Sequence, residues 1–449
     1  MRGVSMFQCF YPARPECFGE LARQNVSKDE LKTSYGVHGS IHPPTQSFGG
    51  YSPRADFRIP RNPLLHIILF ASCAIVADAH AQYPLIPIQH ERHKIIVPLC
   101  TSFPLIGDQS VIGRQLLSGV ENYLKEFKHF TTEADTGERH LIIRHIKNNK
   151  DTDDAGLEAI NDMLTLSPLV LGLLGPDTFF SLVPALKKKQ LCLLFPIEGN
   201  QELRDIKLAN VIYFRPSYEK ELAALTHYAL TIKHKTSIAI LYESSVWGKS
   251  LLASLEKILA RSAIKPVITA PYAQGTVEIE QALTTIAHAE PNAVIFLAQP
   301  RPAYNFISNA LNTNLNGCLF LGLSHLGVIQ NLLKTSRGLD IAVTSVVPQA
   351  SSSTLPIAEE YRRAMRSFLT SHDDSPFYFE SFIAMAILDK CLGTLGNTIT
   401  IPALITSLES LHNENFKGLR LNFDATDRSL SSAVWINPGL HHEWITYSH

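Results

Sequence analysis

Eighteen histidines, the acidic run Asp151-Thr152-Asp153-Asp154 and the His441-His442 pair are the groups in this chain best suited to metal chemistry. Their spacing argues against it. The histidines are scattered, and the acidic run lacks the twelve-residue calcium pattern with glycine at the sixth place and a closing glutamate. A carboxylate cluster of this kind is what the start of a helix favours, because its oxygens cap exposed N–H groups and face the positive end of the dipole. Catalytic signatures are equally thin. No Walker loop, and no G-x-G-x-x-G after a strand, offers a cradle for phosphates. No H-E-x-x-H or G-x-S-x-G supplies a zinc pair or an activated nucleophile. Of seven cysteines, Cys100, Cys192, Cys318 and Cys391 follow the leader described below. Each lies in an apolar run and none belongs to a C-x-x-C pair, so buried thiols fit better than zinc ligands, although an exported chain permits a disulfide. The formal net charge of −1 leaves no basic excess for nucleic acid or an anionic membrane. The motifs therefore give no support for an enzyme, a metal site or a nucleotide site.

Any functional residue needs elements to hold it, and after Lys94 strand-like and helix-like segments alternate. KIIVPLC (94–100) is a short β-branched apolar run, the pattern of a strand covered on both faces. Ile112, Leu116, Val120, Tyr123, Leu124 and Phe127 then form one helical stripe. HLIIRHI (140–146), LVLGLLG (169–175) and LCLLF (191–195) continue the strands, with helices expected after Asp151 and from Leu182 to Lys189. The rhythm restarts at SIAILYE (237–243), followed by a helix with Leu251, Leu252, Leu255, Ile258 and Leu259, then PVITAPY (266–272), AVIFLAQ (293–299) and CLFLGLS (318–324). Strands separated by helices predict parallel sheets with right-handed crossovers, here in two series and therefore two similar doubly wound α/β lobes. LRLNF (419–423) and AVWIN (433–437) read as two closing strands joined by the polar turn Asp424-Ala425-Thr426-Asp427-Arg428.

In open parallel sheets, ligands bind beyond the carboxyl ends of the strands. That singles out the loops 101–108, 176–180, 196–200, 244–247, 299–304 and 324–327.

Upstream, RIPRNPLLHIILFASCAIVADAHA (58–81) has a basic flank at Arg58 and Arg61, an apolar run from Leu64 to Ala77 and a small-x-small cleavage signal at Ala79-His80-Ala81. This is the layout of a secretory signal peptide, and the run is short beside the ~20 residues of a membrane span. Phe70-Ala71-Ser72-Cys73 resembles a lipoprotein box, but the apolar run continues past Cys73, so cleavage after Ala81 is the expected cut. Residues 1–57 show no helical or strand period and are expected to be a disordered extension or an upstream artefact of the start site. The remainder, at 45% hydrophobic and 18% charged over the whole chain, is globular and too long for one ordinary core.

These segments resemble, in order, the type I periplasmic binding proteins of the leucine-binding or branched-chain amino-acid-binding family. KIIVPLC with Thr101-Ser102-Phe103-Pro104-Leu105-Ile106-Gly107, Gly113 and Gly119 resembles the family's opening. LLGPDTFFSLVPAL (173–186), LLFPIEGNQELR (193–204), VIYFRPSYEKE (211–221), IAILYESSVWGKSL (238–251), SPFYFESFIAMAILDKCL (375–392) and FKGLRLNFDATD (416–427) follow. The likeness covers about residues 93–440. It implies two lobes joined by three crossings, residues 94–215 plus 347–411 forming the first and 216–346 plus 412–449 the second, with a ligand cleft between them. It also implies a monomeric periplasmic solute-binding protein, with no cofactor, that works with a permease of an ABC importer or with a membrane sensor such as a kinase or chemoreceptor.

Carried over by position, the resemblance implies ligand contacts at Ser102, Thr178, Phe179, Glu198, Gly199, Asn200, Trp247, Gln299 and Ser324. Gly199 replaces the usual threonine hydroxyl, Gln299 stands where a second aromatic is common, and Ser324 stands where amino-acid receptors place a carboxylate for the ligand's ammonium. Glu198 offers a substitute from the opposite lobe. An amino acid, an apolar or aromatic carboxylate, a short peptide or an amide all fit. Trp247 is expected to wall the cleft, so that Trp247→Ala weakens ligand-induced stabilisation while sparing the unliganded fold.

Overall fold

A computed structural model describes residues 82–91, 94–107, 109–127, 130–132, 139–147, 165–333, 339–366, 375–396, 399–439 and 443–447. The segment expected to be a signal peptide, with Cys73, residues 1–57, the Asp151–Asp154 run and the helix expected after it, and His441-His442 lie outside the described residues.

The apolar runs fold as two parallel-dominated sheets. The first contains β1 (Gln89–Glu91), β2 (Lys94–Thr101), β3 (Phe130–Thr132), β4 (Arg139–Lys147), β5 (Leu169–Leu171), β6 (Cys192–Leu194) and β7 (Val211–Ile212). Its order is β3-β4-β2-β5-β6-β7, with β1 antiparallel to β2. The second contains β8 (Ile238–Glu243), β9 (Ile268–Tyr272), β10 (Ala293–Leu297), β11 (Leu319–Gly322), β12 (Asp340–Ser345), β15 (Val434–Asn437) and β16 (Ile445–Tyr447), in the order β16-β15-β12-β11-β10-β8-β9. In each sheet the parallel strands follow the doubly wound order in which the second strand lies outside the first and the third on its other side. The direction of winding reverses between β2 and β5 and between β8 and β10, and those are the switch points where such sheets open a crevice.

Both faces of each sheet are covered, which explains why these strands read as unbroken apolar runs. Leu169, Leu171 and Leu194 enter one core while Val170, Leu193 and Val211 enter the core on the opposite face. In the second sheet Leu241, Val294 and Phe320 face one side and Ile240, Ile295 and Leu321 the other. The first core is closed by α1 (Ser110–Glu126) and by a later helix, Pro376–Thr394, buried on nearly every side. Burial pushes the thiols of Cys100 and Cys391 up to about 11 and those of Cys192 and Cys318 up to about 12, so they behave as small apolar groups. No helix among the described residues is long and apolar enough to cross a membrane.

The C-terminal strands depart from the sequence reading. Leu419–Leu421 (β14) pairs with Glu414–Phe416 (β13), whereas β15 joins the second sheet beside β12. Phe416, Leu421, Phe423 and Leu430 pack into the first core, so residues 412–430 sit with the first lobe rather than the second. The chain crosses to the second sheet only between Leu430 and Val434. The first crossing, around Tyr213–Ser217, is tied to this third one, since Tyr213 N donates to Arg428 O and Leu430 N to Tyr213 O. The second passes from Ser345 at the end of β12 to Val346 and Val347 in the first core.

Candidate functional site: a cleft where strand ends from both sheets meet

The loops beyond both switch points converge on one cavity. Gln109 comes from the loop after β2, and Gly175 and Pro176 come from the loop after β5, where helix α2 (Pro176–Lys187) begins. Glu198 follows β6, and Tyr218 opens α4 (Tyr218–His227) just past the first crossing, α3 being the short helix Gln201–Asp205. From the second sheet come Trp247 in α5 (Val246–Arg261) after β8, Gln299 after β10 and His325 after β11. Gly175 has φ of 96°, a backbone conformation that a side chain would strain, so glycine is what lets this turn enter α2.

The cavity encloses about 20 Å³, little more than room for one water, and Gln109 Nε2 lies 3.5 Å from Gln299 Oε1 across it. Small-ligand sites commonly hold ~300 Å³ or more, so a guest enters only if the lobes part about their crossings.

Glu198 is buried, and its Oε1 accepts N–H bonds from Gly199 at 2.9 Å and Asn200 at 2.8 Å. Burial pushes its carboxyl up to about 7, while the Asn200 and Gly199 N–H groups and the nearby Arg215 and Arg204 guanidinium groups pull it back. The folded protein therefore holds a proton on Glu198 between its ordinary value of 4.5 and about 7, and the stability so gained is lost as pH rises through that window. Glu198→Gln keeps an oxygen for the two N–H groups and removes the buried charge. It is expected to be more stable than the native protein at pH 8, by at most about 3 kcal/mol, and to show no advantage at pH 4. Denaturant unfolding at a series of pH values checks this, and a pH-independent difference contradicts it.

His325 is buried, and its Nε2 lies 2.9 Å from the carbonyl oxygen of Ala298. A carbonyl only accepts, so Nε2 carries the proton and Nδ1 is a lone-pair acceptor, and Nδ1 is buried without a hydrogen-bond partner. Burial pushes this imidazole down to about 4, so it stays neutral. Its ring meets Trp247 at 5.6 Å and Tyr218 at 6.3 Å between centroids, both edge-on, and those two rings meet each other at 6.4 Å.

Behind the cavity lies a buried charged cluster at the crossings. Arg215 donates from Nε to Glu380 Oε1 and from Nη2 to Glu380 Oε2, each at 2.9 Å. Glu221, fully buried in α4, accepts from Ser324 N, Ser324 Oγ and Thr344 Oγ1, linking the His325 loop to the second crossing. Burial raises the Glu221 carboxyl and Arg215 draws it back. Arg204 lies 4.0 Å over the Tyr213 ring and donates to the carbonyls of Glu198, Arg215, Pro216 and Asp427.

Of the residues singled out from sequence, Glu198, Trp247 and Gln299 stand on the cavity wall. The others do not, each for a physical reason. Phe179 points into the first lobe and stacks on Tyr213 at 6.3 Å. Ser324 is engaged by Glu221. Asn200 caps α3 by accepting from Glu202 N. A Cβ on Gly199 would come within 2.7 Å of the Tyr218 ring, so glycine is needed for Tyr218 to reach the site and no hydroxyl fits there. Ser102 is half-buried off the wall, and Thr178 is half-buried in the first turn of α2, its carbonyl accepting from Ser181 Oγ. His325, Tyr218 and Gln109 were missed. The available signal was a histidine at 325 set among apolar residues just beyond a strand end; Tyr218, flanked by Ser217 and Glu219-Lys220-Glu221, carried no such signal.

Comparison with known proteins agrees with this fold. The sequence profile of the periplasmic binding protein family matches residues 102–437. No curated protein matches the chain in sequence. A substrate-binding periplasmic protein from Ralstonia solanacearum has a similar structure, at 22% identity and a TM-score of 0.66, over 78% of this chain and 99% of that one. A possible leucine/isoleucine/valine-binding protein from Rhodopirellula baltica gives 22% identity and 0.67, over 79% and 96%. A solute-binding protein of an ABC transporter from Rhodopseudomonas palustris, solved with p-hydroxybenzoic acid, gives 11% and 0.66, over 79% and 97%. At these identities the structural likeness speaks for the fold.

Proposed function

The chain belongs to the periplasmic binding protein family, and from that premise we propose that it captures a small solute between its lobes and delivers it to an ABC importer. The observation that carries this reading is the meeting of strand-end loops from both switch points around one cavity walled by Glu198, His325, Trp247 and Tyr218. Such an arrangement couples occupancy to shape: a guest held by both lobes stabilises the closed form, which a membrane partner can distinguish from the open one. The protein performs no covalent step; its work is selection and transfer. The signal peptide expected at 58–81 would deliver it to the periplasm.

The solutes named for the structural neighbours, branched-chain amino acids and p-hydroxybenzoic acid, set the size of the expected guest. A thermal-shift screen of amino acids, aromatic and aliphatic carboxylates, amides and short peptides tests the proposal. At least one class should raise the melting temperature in proportion to the logarithm of its concentration above Kd. Chemical turnover of a bound compound, or silence across all classes, contradicts it.

A further inference from the structure

Within that solute-binding reading, the cavity says which kind of group the guest brings. Its wall carries two strong acceptors, one from each lobe. Glu198 presents a carboxyl whose Oε1 is already held by two backbone N–H groups; no described residue donates to Oε2, which accepts from a guest once the carboxyl ionises, above about pH 7. His325 presents Nδ1, a buried lone pair that no described group satisfies. No lysine or arginine stands on the wall among the described residues, and its donors are the uncharged Gln109, Gln299, Trp247 and Tyr218; Arg215 is not among the wall residues, bidentate to Glu380 through Nε and Nη2, with Nη1 buried and without a hydrogen-bond partner. A buried acceptor without a donor is destabilising, by ~1–3 kcal/mol in typical cases, so a guest that donates to it gains affinity and a guest that presents an anion there loses it.

We propose that His325 is the specificity-determining residue of the second lobe, accepting at Nδ1 an N–H or O–H of the guest, which Glu198 engages from the first lobe. The guest is then a small molecule carrying an ammonium, amide or hydroxyl donor beside an apolar body that lies against Trp247 and Tyr218. The loop anchors this role: Ser324, one residue earlier, is held by Glu221, and Nε2 of the ring is held by Ala298, so Nδ1 has a fixed direction.

The test uses the full chain and three matched pairs, each differing by a donor at one position: leucine and 4-methylpentanoate, benzamide and benzoate, 4-hydroxybenzoate and benzoate. Calorimetric titration of the native protein should show the donor-bearing member of at least one pair binding about tenfold tighter or more. In His325→Phe that preference should collapse, while His325→Gln, whose amide oxygen can accept, should restore part of it. The native protein provides a readout that does not depend on the variants folding: the 15N resonance of His325 Nδ1 should move when the donor-bearing probe binds. A guest that binds without moving that resonance, or a preference that survives in His325→Phe, overturns the assignment while leaving solute capture standing. A carboxylate that binds as tightly as its donor-bearing partner in every pair does the same. No binding by any of the probes at millimolar concentration overturns the assignment for these donor classes, and the wider thermal-shift screen then decides whether solute capture itself survives.

Discussion

Arg215→Met is expected to lower the stability of the unliganded protein by about 3–5 kcal/mol, because it leaves Glu380 charged, buried and without its partner. Both side chains are almost wholly buried, at 1% and 3% exposure, and the pair is bidentate. Glu221 and Glu198 lie close enough to be drawn down by the same guanidinium, so its removal leaves three carboxyl groups without their shared cation. Replacing both members, Arg215→Met with Glu380→Leu, should recover much of the loss, since the desolvation of two charges disappears together. Urea unfolding of the two single variants and the double variant gives the cycle. A single-variant loss below about 1 kcal/mol contradicts the reading, because that is the range of exposed pairs. The effect reaches function through position: Arg215 lies in the first crossing, and Glu221 ties that crossing to the loop of His325.

Trp247→Ala is expected to lower unliganded stability by about 3–5 kcal/mol as well as weakening capture of the guest. Sequence alone predicts a cleft wall whose loss spares the unliganded fold. Instead the indole is 6% exposed, packs in the same core as Leu251, Leu255 and Leu297, and meets Tyr218 and His325 edge-on. One edge of the ring lies on the cavity and the rest fills the second lobe. Trp247→Phe separates the two roles, since it keeps most of the packing and alters the surface offered to the guest. Thermal unfolding of both variants, with and without solute, reads them out. An unchanged unliganded midpoint for Trp247→Ala would place the ring outside the core.

The strands were legible because both faces of each sheet are covered, so 95–100, 169–171 and 293–297 are apolar at successive positions and stand out. The loops beyond their carboxyl ends were legible for the same reason: five of the six supply a residue on the cavity wall, and the wall residue Gln109 falls one position past the end of the sixth, 101–108. Individual side chains within those loops were not. Whether Ser324 or His325 reaches the cavity depends on a 3₁₀ turn, Ser324–Leu326, in which neighbours point about 120° apart. Phe179 lies off the wall because Pro176 starts a helix, and the residue three places on turns back into the lobe. The pairing of β14 and β15 with different sheets was equally hidden. An apolar strand, a polar turn and another apolar strand look like a hairpin, and which sheet each joins is decided by contacts far away in the sequence.

The most direct test of a cleft that closes on its guest is a distance measured across it. Phe180 and Val246 are exposed, 40% and 72%, on helices from opposite lobes that start at the cavity. Phe180→Cys and Val246→Cys take spin labels, with Cys9, Cys17 and Cys73 replaced by serine and the buried thiols left in place. Double electron–electron resonance should then show a long or broad distance distribution in the free chain that becomes single and shorter when a stabilising solute binds. A distribution that stays the same while the solute is bound would contradict capture by closure of the lobes.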